Sequence, residues 1–308
     1  MSLFKRLTIE DALEAQWEAA WCRQKAQRKQ RKLIDKIITE IGHQPLRRFD
    51  YNAIEQWGFD LRRSGLAEAT IDRRFTTVRK ALKRAYLKNW IKKFPEKPPV
   101  QIDNIKDRYI TREEEAQLFA AIQARRGAIT RRIMPHVFTF LLDTGCRVSE
   151  LMKILPSHVI EDGVIFPDRK NGGKLKLPLT ARARRAITAL HDDTWWSHST
   201  RHIYDRDRNI RDLALENLQS RLVHEFTAIR NAAKMPDVSL HTCRHTCGSR
   251  LAQAGVPLHI VQHFLGHRDI TVTSQRYAHL APNTLLSAVN VLEVHRGENV
   301  VSLHERRT

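Results

Sequence analysis

The sequence predicts a mainly α-helical protein with a small antiparallel β-sheet, built as two domains joined by a linker. Apolar residues recur at helical spacing through the first 90 residues, which predicts four amphipathic helices. Residues 92–108 hold three prolines and no hydrophobic periodicity, which is typical of a linker. Residues 159–179 contain short strand-like runs separated by turn residues, which predicts a β-meander inserted among helices.

Local signals set the helices of the first domain. Thr8 followed three residues later by Asp11 predicts a cap for the first helix. The second helix follows the basic run 23–32 and ends at Gly42, because glycine commonly stops a helix. The third begins after Asp50. The fourth begins near residue 70, and its six basic side chains are expected largely off the buried stripe: Arg73, Arg74, Arg79, Lys80, Lys83 and Arg84.

The second domain is expected to be mainly helical around the meander. Thr111 and Glu114 form a capping-box pattern, and the apolar segment 133–142 ends at Asp143-Thr144-Gly145. Further helices are expected over 180–190, 211–235, 241–254, 257–265 and 283–294. The predicted organisation is a helical domain at 1–91, a linker at 92–108, a mixed α+β domain at 109–282 and a C-terminal helix and tail at 283–308.

Charge identifies the class of partner. The chain of 308 residues carries 53 Lys and Arg against 34 Asp and Glu, a formal charge of +19, which favours a polyanionic partner. No run approaches the roughly 20 apolar residues that span a bilayer, and the N-terminus lacks the pattern of a signal peptide. Four cysteines are too few for a disulfide framework, which fits a reducing compartment. The expected location is the cytoplasm.

Four segments carry groups suited to chemistry on a phosphodiester. His241 and Arg244 lie three residues apart on one helix face, and Arg147 follows a glycine-containing turn. Two guanidinium groups can clamp one phosphate and neutralise the charge that spreads over its oxygens in the transition state. Lys170 precedes an Asn-Gly turn, and a lysine there can protonate a departing alkoxide. The phenol of Tyr277 can attack phosphorus and store the bond energy, so that rejoining needs no ATP.

These motifs resemble the tyrosine recombinase (phage integrase) family. They are Thr144-Gly-x-Arg147-x-Ser-Glu150-Leu, Lys170-Asn-Gly, His241-x-x-Arg244-His-Thr, Leu265-Gly-His267 and Arg276-Tyr277-Ala-His279. The resemblance covers the whole chain, since the family joins a four-helix core-binding domain to an α+β catalytic domain. Each fragment alone is weak, but together they occur in the family's order and with family-like separations.

The resemblance implies a role for each of these residues. Arg147 and Arg244 would bind the scissile phosphate, and Lys170 would protonate the 5′-oxygen. His241 would assist proton transfer at the nucleophile Tyr277, and His267 would hydrogen-bond the phosphate. Glu150 resembles a residue that steadies the arginine cluster. Tyr277 follows His267 by ten positions where the family has nine, so the intervening segment is expected to bulge or to begin its helix differently.

Several patterns have a second interpretation. Lys174 is the alternative general acid, because it lies in the same basic loop as Lys170. The His241, Cys243, His245 and Cys247 cluster resembles a metal site, but the His and Cys pairs fall on different helix faces. We therefore expect no metal and no cofactor, with both cysteines in the core. Trp17 and Trp21 are expected in the core rather than as a base-stacking platform.

The sequence as a whole indicates a site-specific recombinase that integrates or excises a phage or other mobile element. The expected partners are double-stranded DNA, three further copies of the chain in a tetramer on DNA, and accessory directionality or DNA-bending proteins, with no membrane partner. The basic run 23–32 is expected to contact the DNA backbone rather than to be only a solvated face. The C-terminal helix caps its own core or docks on a neighbouring protomer. The rival functions are a type IB topoisomerase and a DNA-binding protein with a decayed site.

Overall fold

A computed structural model of the chain describes residues 6–24, 27–101, 108–167 and 174–280. Its backbone contacts divide the chain into two compact units, with the division after residue 104, inside the segment predicted as a linker. The predicted helix at 283–294 and the turn at 171–173 lie outside the described residues. No helix among the described residues combines the length and apolarity needed to cross a membrane.

The first unit contains the four predicted helices. They are α1 (Ile9–Ala19), α2 (Gln27–Ile41), α3 (Tyr51–Arg63) and α4 (Glu68–Leu87). Thr8 and Asp11 form the capping box of α1, and the Asp50 carboxylate accepts a hydrogen bond from Ala53 N at the start of α3. The caps therefore lie where the sequence predicts them, because each satisfies backbone donors that a helix leaves unpaired.

The apolar stripes of these four helices meet in one core. Ile37, Ile71 and Leu82 are fully buried there, and Trp21 is buried beside them. Trp17 is only half-buried, and the Arg31 guanidinium lies 5.4 Å from its ring centroid. The core role expected for both tryptophans therefore applies fully only to Trp21.

One basic residue of α4 departs from the expected outer face. Arg74 is 6% exposed and forms an ion pair with Glu40 of α2. A buried arginine needs such a partner, because an unpaired charge is costly to bury. Hydrophobic spacing could not reveal that partner, which lies 34 residues earlier. Of the remaining basic residues on α4, those with exposed side chains are Arg73, Arg79, Lys80 and Lys83.

The second unit surrounds a small sheet with helices. Before the sheet come α5 (Arg112–Ala124), α6 (Ala128–Arg132), α7 (Met134–Thr144) and α8 (Val148–Leu151). After it come α9 (Ala181–Asp192), α10 (Thr194–Thr200), α11 (Arg208–Ala232), α12 (Thr242–Gln253), α13 (Leu258–Leu265) and α14 (Ile270–Tyr277). The short helices α6, α8, α10 and α14 were not predicted individually, because one or two turns give too little periodicity.

The sheet is the antiparallel meander expected from the sequence. Its strands β1 (Val159–Ile160), β2 (Gly163–Phe166) and β3 (Leu175–Leu177) pair in chain order. Val164 lies opposite Val159 on one side and Leu177 on the other. The mainly α fold with a small antiparallel sheet is therefore confirmed.

Helix α7 forms the centre of the second unit. Its apolar side chains, such as Phe138 and Leu141, are fully buried, and the helix packs against α9 and α12. Cys243 of α12 is also fully buried. Trp196, which the sequence pattern could not place, lies in the same core, while its neighbour Trp195 stacks beside Arg221. This core holds the end of α7 and the start of α12 next to each other.

Candidate active site

A turn at Gly145, which ends α7, positions Arg147. Gly145 adopts the left-handed conformation, with φ of 59°, and ends the helix. A Cβ atom at this position would also lie 2.5 Å from the Leu265 side chain and 3.1 Å from Cys247. Glycine is therefore required for both backbone conformation and space. Arg147 follows two residues later as the N-cap of α8.

Glu150 holds Arg147 in place. The Glu150 carboxylate accepts hydrogen bonds from the Arg147 backbone N–H at 2.9 Å and from its guanidinium Nη1 at 2.7 Å. Glu150 is 4% exposed, whereas a quarter of the Arg147 side chain is exposed. Because the buried carboxylate of Glu150 binds both the backbone N–H and the guanidinium of Arg147, the arginine is restricted to few rotamers. The exposed edge of its guanidinium remains available to a ligand.

The second arginine of the site braces the same turn. Arg244 of α12 is 3% exposed, and its Nη1 donates a hydrogen bond to Gly145 O at 2.8 Å. The carbonyl of the turn that precedes Arg147 therefore anchors Arg244. The two guanidinium groups, 97 residues apart in the chain, belong to one structural unit.

Both arginines act on the same two imidazoles. Burial lowers the pKa of His241, and the cationic Arg244 and Arg147 lower it further. Burial followed by the same two arginines lowers the pKa of His267 to about 3. Both imidazoles therefore lie in the positive field of the same two guanidinium groups, which disfavours their protonation. Both imidazoles are neutral at neutral pH.

Helix α14 positions Tyr277 and fixes His267 at the same time. Asp269 caps the helix by accepting a hydrogen bond from Thr271 N. Thr273 and Tyr277 are four residues apart, so both face the interior. Thr273 is fully buried, and its hydroxyl lies 2.8 Å from His267 Nδ1. The ten-residue separation between His267 and Tyr277 is accommodated by a helix that begins at residue 270.

The Tyr277 side chain is buried and protonated in this state. It is 2% exposed, and burial raises the pKa of its phenol to about 12, although Arg244 and Arg276 act in the opposite direction. The ring packs on Gly248, where an added Cβ would lie 2.4 Å from the ring. The phenolic oxygen lies 3.4 Å from His245 Nδ1.

His245 and Arg276 are the site residues that sequence analysis did not assign. The rings of His241 and His245 meet edge to face, with centroids 4.8 Å apart and planes at 88°. Arg276 Nη1 lies 3.4 Å from His245 Nδ1 and 3.3 Å from its Nε2. The available signal was the position of His245 directly after Arg244 and one turn after His241.

Within the described residues, no three His, Cys, Asp or Glu side chains are grouped to hold a metal.

A buried ion-pair network joins α5, α7, α9 and α12 behind the two arginines. Glu115 of α5, 6% exposed, lies 2.9 Å from Arg182 and 2.6 Å from Arg250 of α12. Arg182 also binds the Asp143 carboxylate at the end of α7. Burial acts to raise the pKa of Glu115, but hydrogen bonds from Arg182 and Arg250 hold this pKa below its usual value. The network ties the end of α7, which leads into the Arg147 turn, to α12, which carries Arg244.

We expect Glu115→Ala to lower the free energy of unfolding by about 2–4 kcal/mol, because it leaves buried cations without their partner. Urea unfolding at pH 7 measures this loss. Glu113→Ala, an exposed neighbour on the same helix, is the control and should change stability by less than about 0.5 kcal/mol. Because the folded pKa of Glu115 is depressed, its contribution should be present near neutral pH and should disappear as the pH falls below about 4. Equal stability of the two variants would contradict a role for the network.

The predicted general acid lies outside the described residues, because residues 168–173 are not among them. The alternative, Lys174, is exposed and directly precedes β3. Lys176 of β3 is 2.5 Å from Asp162 and thus bound to a carboxylate. The other five predicted site residues are described: Arg147 lies at the start of α8, His241 and Arg244 at the start of α12, His267 between α13 and α14, and Tyr277 at the end of α14.

Known proteins resemble this chain in sequence and in fold. The tyrosine recombinase XerD of Caulobacter vibrioides is 27% identical over 269 residues, which cover 82% of this chain and 84% of that protein. A transposon Tn1549 integrase, solved in complex with a circular intermediate DNA, superposes with a TM-score of 0.68 at 19% identity, covering 94% of this chain and 99% of that one.

The same fold occurs in a lambda integrase tetramer bound to a Holliday junction. Its TM-score is 0.66 at 16% identity, with 89% of this chain and 78% of that chain covered. The model of the phage integrase family matches residues 108–284, which include every candidate site residue. The chain therefore belongs to the phage integrase family and is a tyrosine recombinase, an enzyme of site-specific DNA strand exchange.

Proposed function

We propose that this recombinase cuts and rejoins DNA through a 3′-phosphotyrosine at Tyr277, and that it integrates or excises a mobile element. The observation that carries the proposal is the arrangement around the phenol. Arg244 binds the carbonyl of Gly145 two residues before Arg147, and the Tyr277 ring packs on Gly248 of the helix that carries Arg244. A phosphate bound between these cations would lie within reach of the nucleophile in the same subunit.

The two arginines supply transition-state stabilisation. Attack on a phosphodiester spreads negative charge over its nonbridging oxygens, and paired guanidinium donors neutralise that charge. His267, neutral and held by Thr273 through Nδ1, can present its Nε2–H to the phosphate, because the threonine hydroxyl can donate to the other nitrogen. The site thus binds the phosphate with fixed charges and preoriented donors.

We assign the protonation of the leaving 5′-oxygen to Lys170. Lys170→Ala is expected to slow cleavage of an ordinary phosphodiester by about 100-fold or more. A substrate with sulfur in the 5′-bridging position should be cleaved at nearly the wild-type rate, because a thiolate leaves without a proton. Single-turnover cleavage of the two substrates measures the difference. Lys174→Ala is the matched comparison. If the sulfur substrate restored the cleavage rate of Lys174→Ala but not that of Lys170→Ala, the general acid would be Lys174.

Exposed basic residues on α2 and α4 form the proposed DNA backbone contact. Arg31 is bound to Glu14 and Asp35 and is therefore excluded from this surface. Positive side chains that neutralise phosphates release counterions, so the affinity should fall steeply with salt. The surface comprises Arg28, Lys29, Lys32, Arg73, Arg79, Lys80 and Lys83, all exposed.

A mobile element is the proposed substrate rather than a chromosome dimer. The support is the Arg276-Tyr277-Ala-His279-Leu sequence, which resembles phage and element integrases. Four copies of the chain would assemble on two duplexes, cut one strand of each and exchange 5′-hydroxyl ends. Accessory directionality or DNA-bending proteins would choose between integration and excision.

Sequencing the DNA held covalently by the protein in cells tests this function. Recovery of element ends and their chromosomal junctions is the expected result. Recovery of one chromosomal site without an element would indicate dimer resolution. Relaxation of supercoiled plasmids carrying the recovered sites, without recombinant products, would indicate a topoisomerase.

A further inference from the structure

We propose that His245 accepts the phenol proton of Tyr277 when the phenolic oxygen attacks the scissile phosphorus. The inference rests on the proposed function and adds a second histidine to the proposed catalytic residues. It also reassigns His241, to which the family resemblance gives this proton transfer, as the residue that positions His245.

The contact at the phenol carries the inference. Tyr277 Oη lies 3.4 Å from His245 Nδ1, and within the described part of the chain the phenol has no such hydrogen bond to His241. The distance is long for a hydrogen bond, as catalytic contacts often are before substrate binds. His245 therefore touches the oxygen that loses the proton, whereas His241 touches the ring of His245.

The packing fixes both partners of this contact. Gly248 follows His245 by three residues on α12, and the space above it is filled by the Tyr277 ring. The His241 ring meets His245 from one side, and Arg276 Nη1 lies within 3.4 Å of both ring nitrogens of His245. An imidazole restrained by two neighbours keeps Nδ1 directed at the phenol without help from the substrate.

The protonation states suit a transfer in this direction. Burial, His241 and Arg276 lower the pKa of His245 to about 4, so the imidazole is neutral and has a lone pair to offer. Burial raises the pKa of Tyr277 to about 12, so only about one phenol in 10⁵ is ionised at pH 7. The nucleophile therefore needs a proton acceptor. A bound phosphodiester also offsets the charges of Arg244 and Arg276, which makes His245 a stronger base in the complex.

The step balances in both directions. As the Tyr277 O–P bond forms, the O–H bond breaks and its proton moves to His245 Nδ1. The P–O5′ bond breaks, and the 5′-oxygen takes a proton from the general acid. In rejoining, a 5′-hydroxyl attacks the phosphotyrosine, and the His245 imidazolium returns its proton to the departing phenolate.

Three variants separate proton transfer from positioning. His245→Asn keeps an oxygen near the position of Nδ1 that can accept a hydrogen bond but not a proton. His245→Ala removes both functions. His224→Ala changes an exposed histidine on α11 and is the matched control. The assay is single-turnover cleavage of a nicked suicide duplex with the sequence recovered from cells, and DNA binding and thermal unfolding are measured for every variant.

We expect both His245 variants to cleave at least about 100-fold more slowly than the wild type, with DNA binding unchanged. The loss should persist on the 5′-bridging sulfur substrate. A thiolate leaves without a proton from the general acid, but the Tyr277 phenol must still give its proton to a base. Added imidazole should accelerate His245→Ala, since it can occupy the vacated space and accept the proton. His224→Ala should match the wild type.

Three results would overturn the inference. His245→Asn cleaving within about threefold of the wild type would show that a hydrogen bond suffices. If His245→Ala cleaved the 5′-bridging sulfur substrate at nearly the wild-type rate, His245 would instead protonate the leaving 5′-oxygen. If added imidazole accelerated cleavage by His241→Ala but not by His245→Ala, the residue that accepts the Tyr277 proton would be His241. Failure of the wild-type protein to form any adduct would instead refute the proposed function.

Discussion

Tyr277→Phe is expected to bind the target duplex with wild-type affinity and to form no covalent adduct with it. The substitution removes one oxygen and keeps the ring that packs on Gly248, so the buried site keeps its shape. Within the described residues, the one hydrogen bond that the substitution removes is the contact with His245. Without that oxygen, no bond to phosphorus can form at this position.

A suicide duplex and a denaturing gel measure the adduct, and a mobility-shift titration measures binding. The matched control is Tyr204→Phe, which removes an exposed phenol elsewhere in the second unit and should leave adduct formation intact. An adduct formed by Tyr277→Phe at wild-type yield would remove Tyr277 from the nucleophile role.

Arg244→Lys is expected to reduce the rate of cleavage by about 10³-fold or more, a typical effect for an arginine that stabilises a phosphoryl transition state. Lysine keeps the positive charge, but it lacks the planar pair of donors. It also cannot bind Gly145 O and the phosphate with the same geometry. The loss should therefore appear in the cleavage step more than in DNA affinity.

Single-turnover rates at saturating protein separate these two effects. Arg185→Lys, the same change at an exposed position of α9, is the control and should cleave at the wild-type rate. Thermal unfolding shows whether the Gly145 turn survives the change. A folded Arg244→Lys variant with an undiminished cleavage rate would contradict the phosphate clamp.

The sequence predicted those parts of the site that depend on local signals. Gly145 at the end of α7 and the i, i+3 spacing of His241 and Arg244 both follow from nearby residues. The start of α14 was less predictable, because the extra residue after His267 could be absorbed as a bulge or by a shifted helix start. In the structure the helix begins at residue 270, with Asp269 as its cap.

Other contacts of the site depend on residues that are far apart in the chain. His245 looked like part of a histidine and cysteine pattern, and its partner Tyr277 comes 32 residues later. Glu115 and Arg182 are separated by 67 residues, and neither lies in a recognisable motif. Tertiary packing brings such groups together, so periodicity and capping rules do not predict that His245 meets Tyr277 or that Glu115 meets Arg182.

Mapping the covalent linkage identifies the nucleophile and the strand end that it holds. The wild-type protein is trapped on a suicide duplex, digested with a protease, and the DNA-linked peptide is sequenced by mass spectrometry. One modified residue is expected, Tyr277, joined to the 3′-phosphate at the cleaved strand, with a free 5′-hydroxyl on the other side. Linkage through another residue, or to a 5′-phosphate, would contradict the proposed 3′-phosphotyrosine at Tyr277.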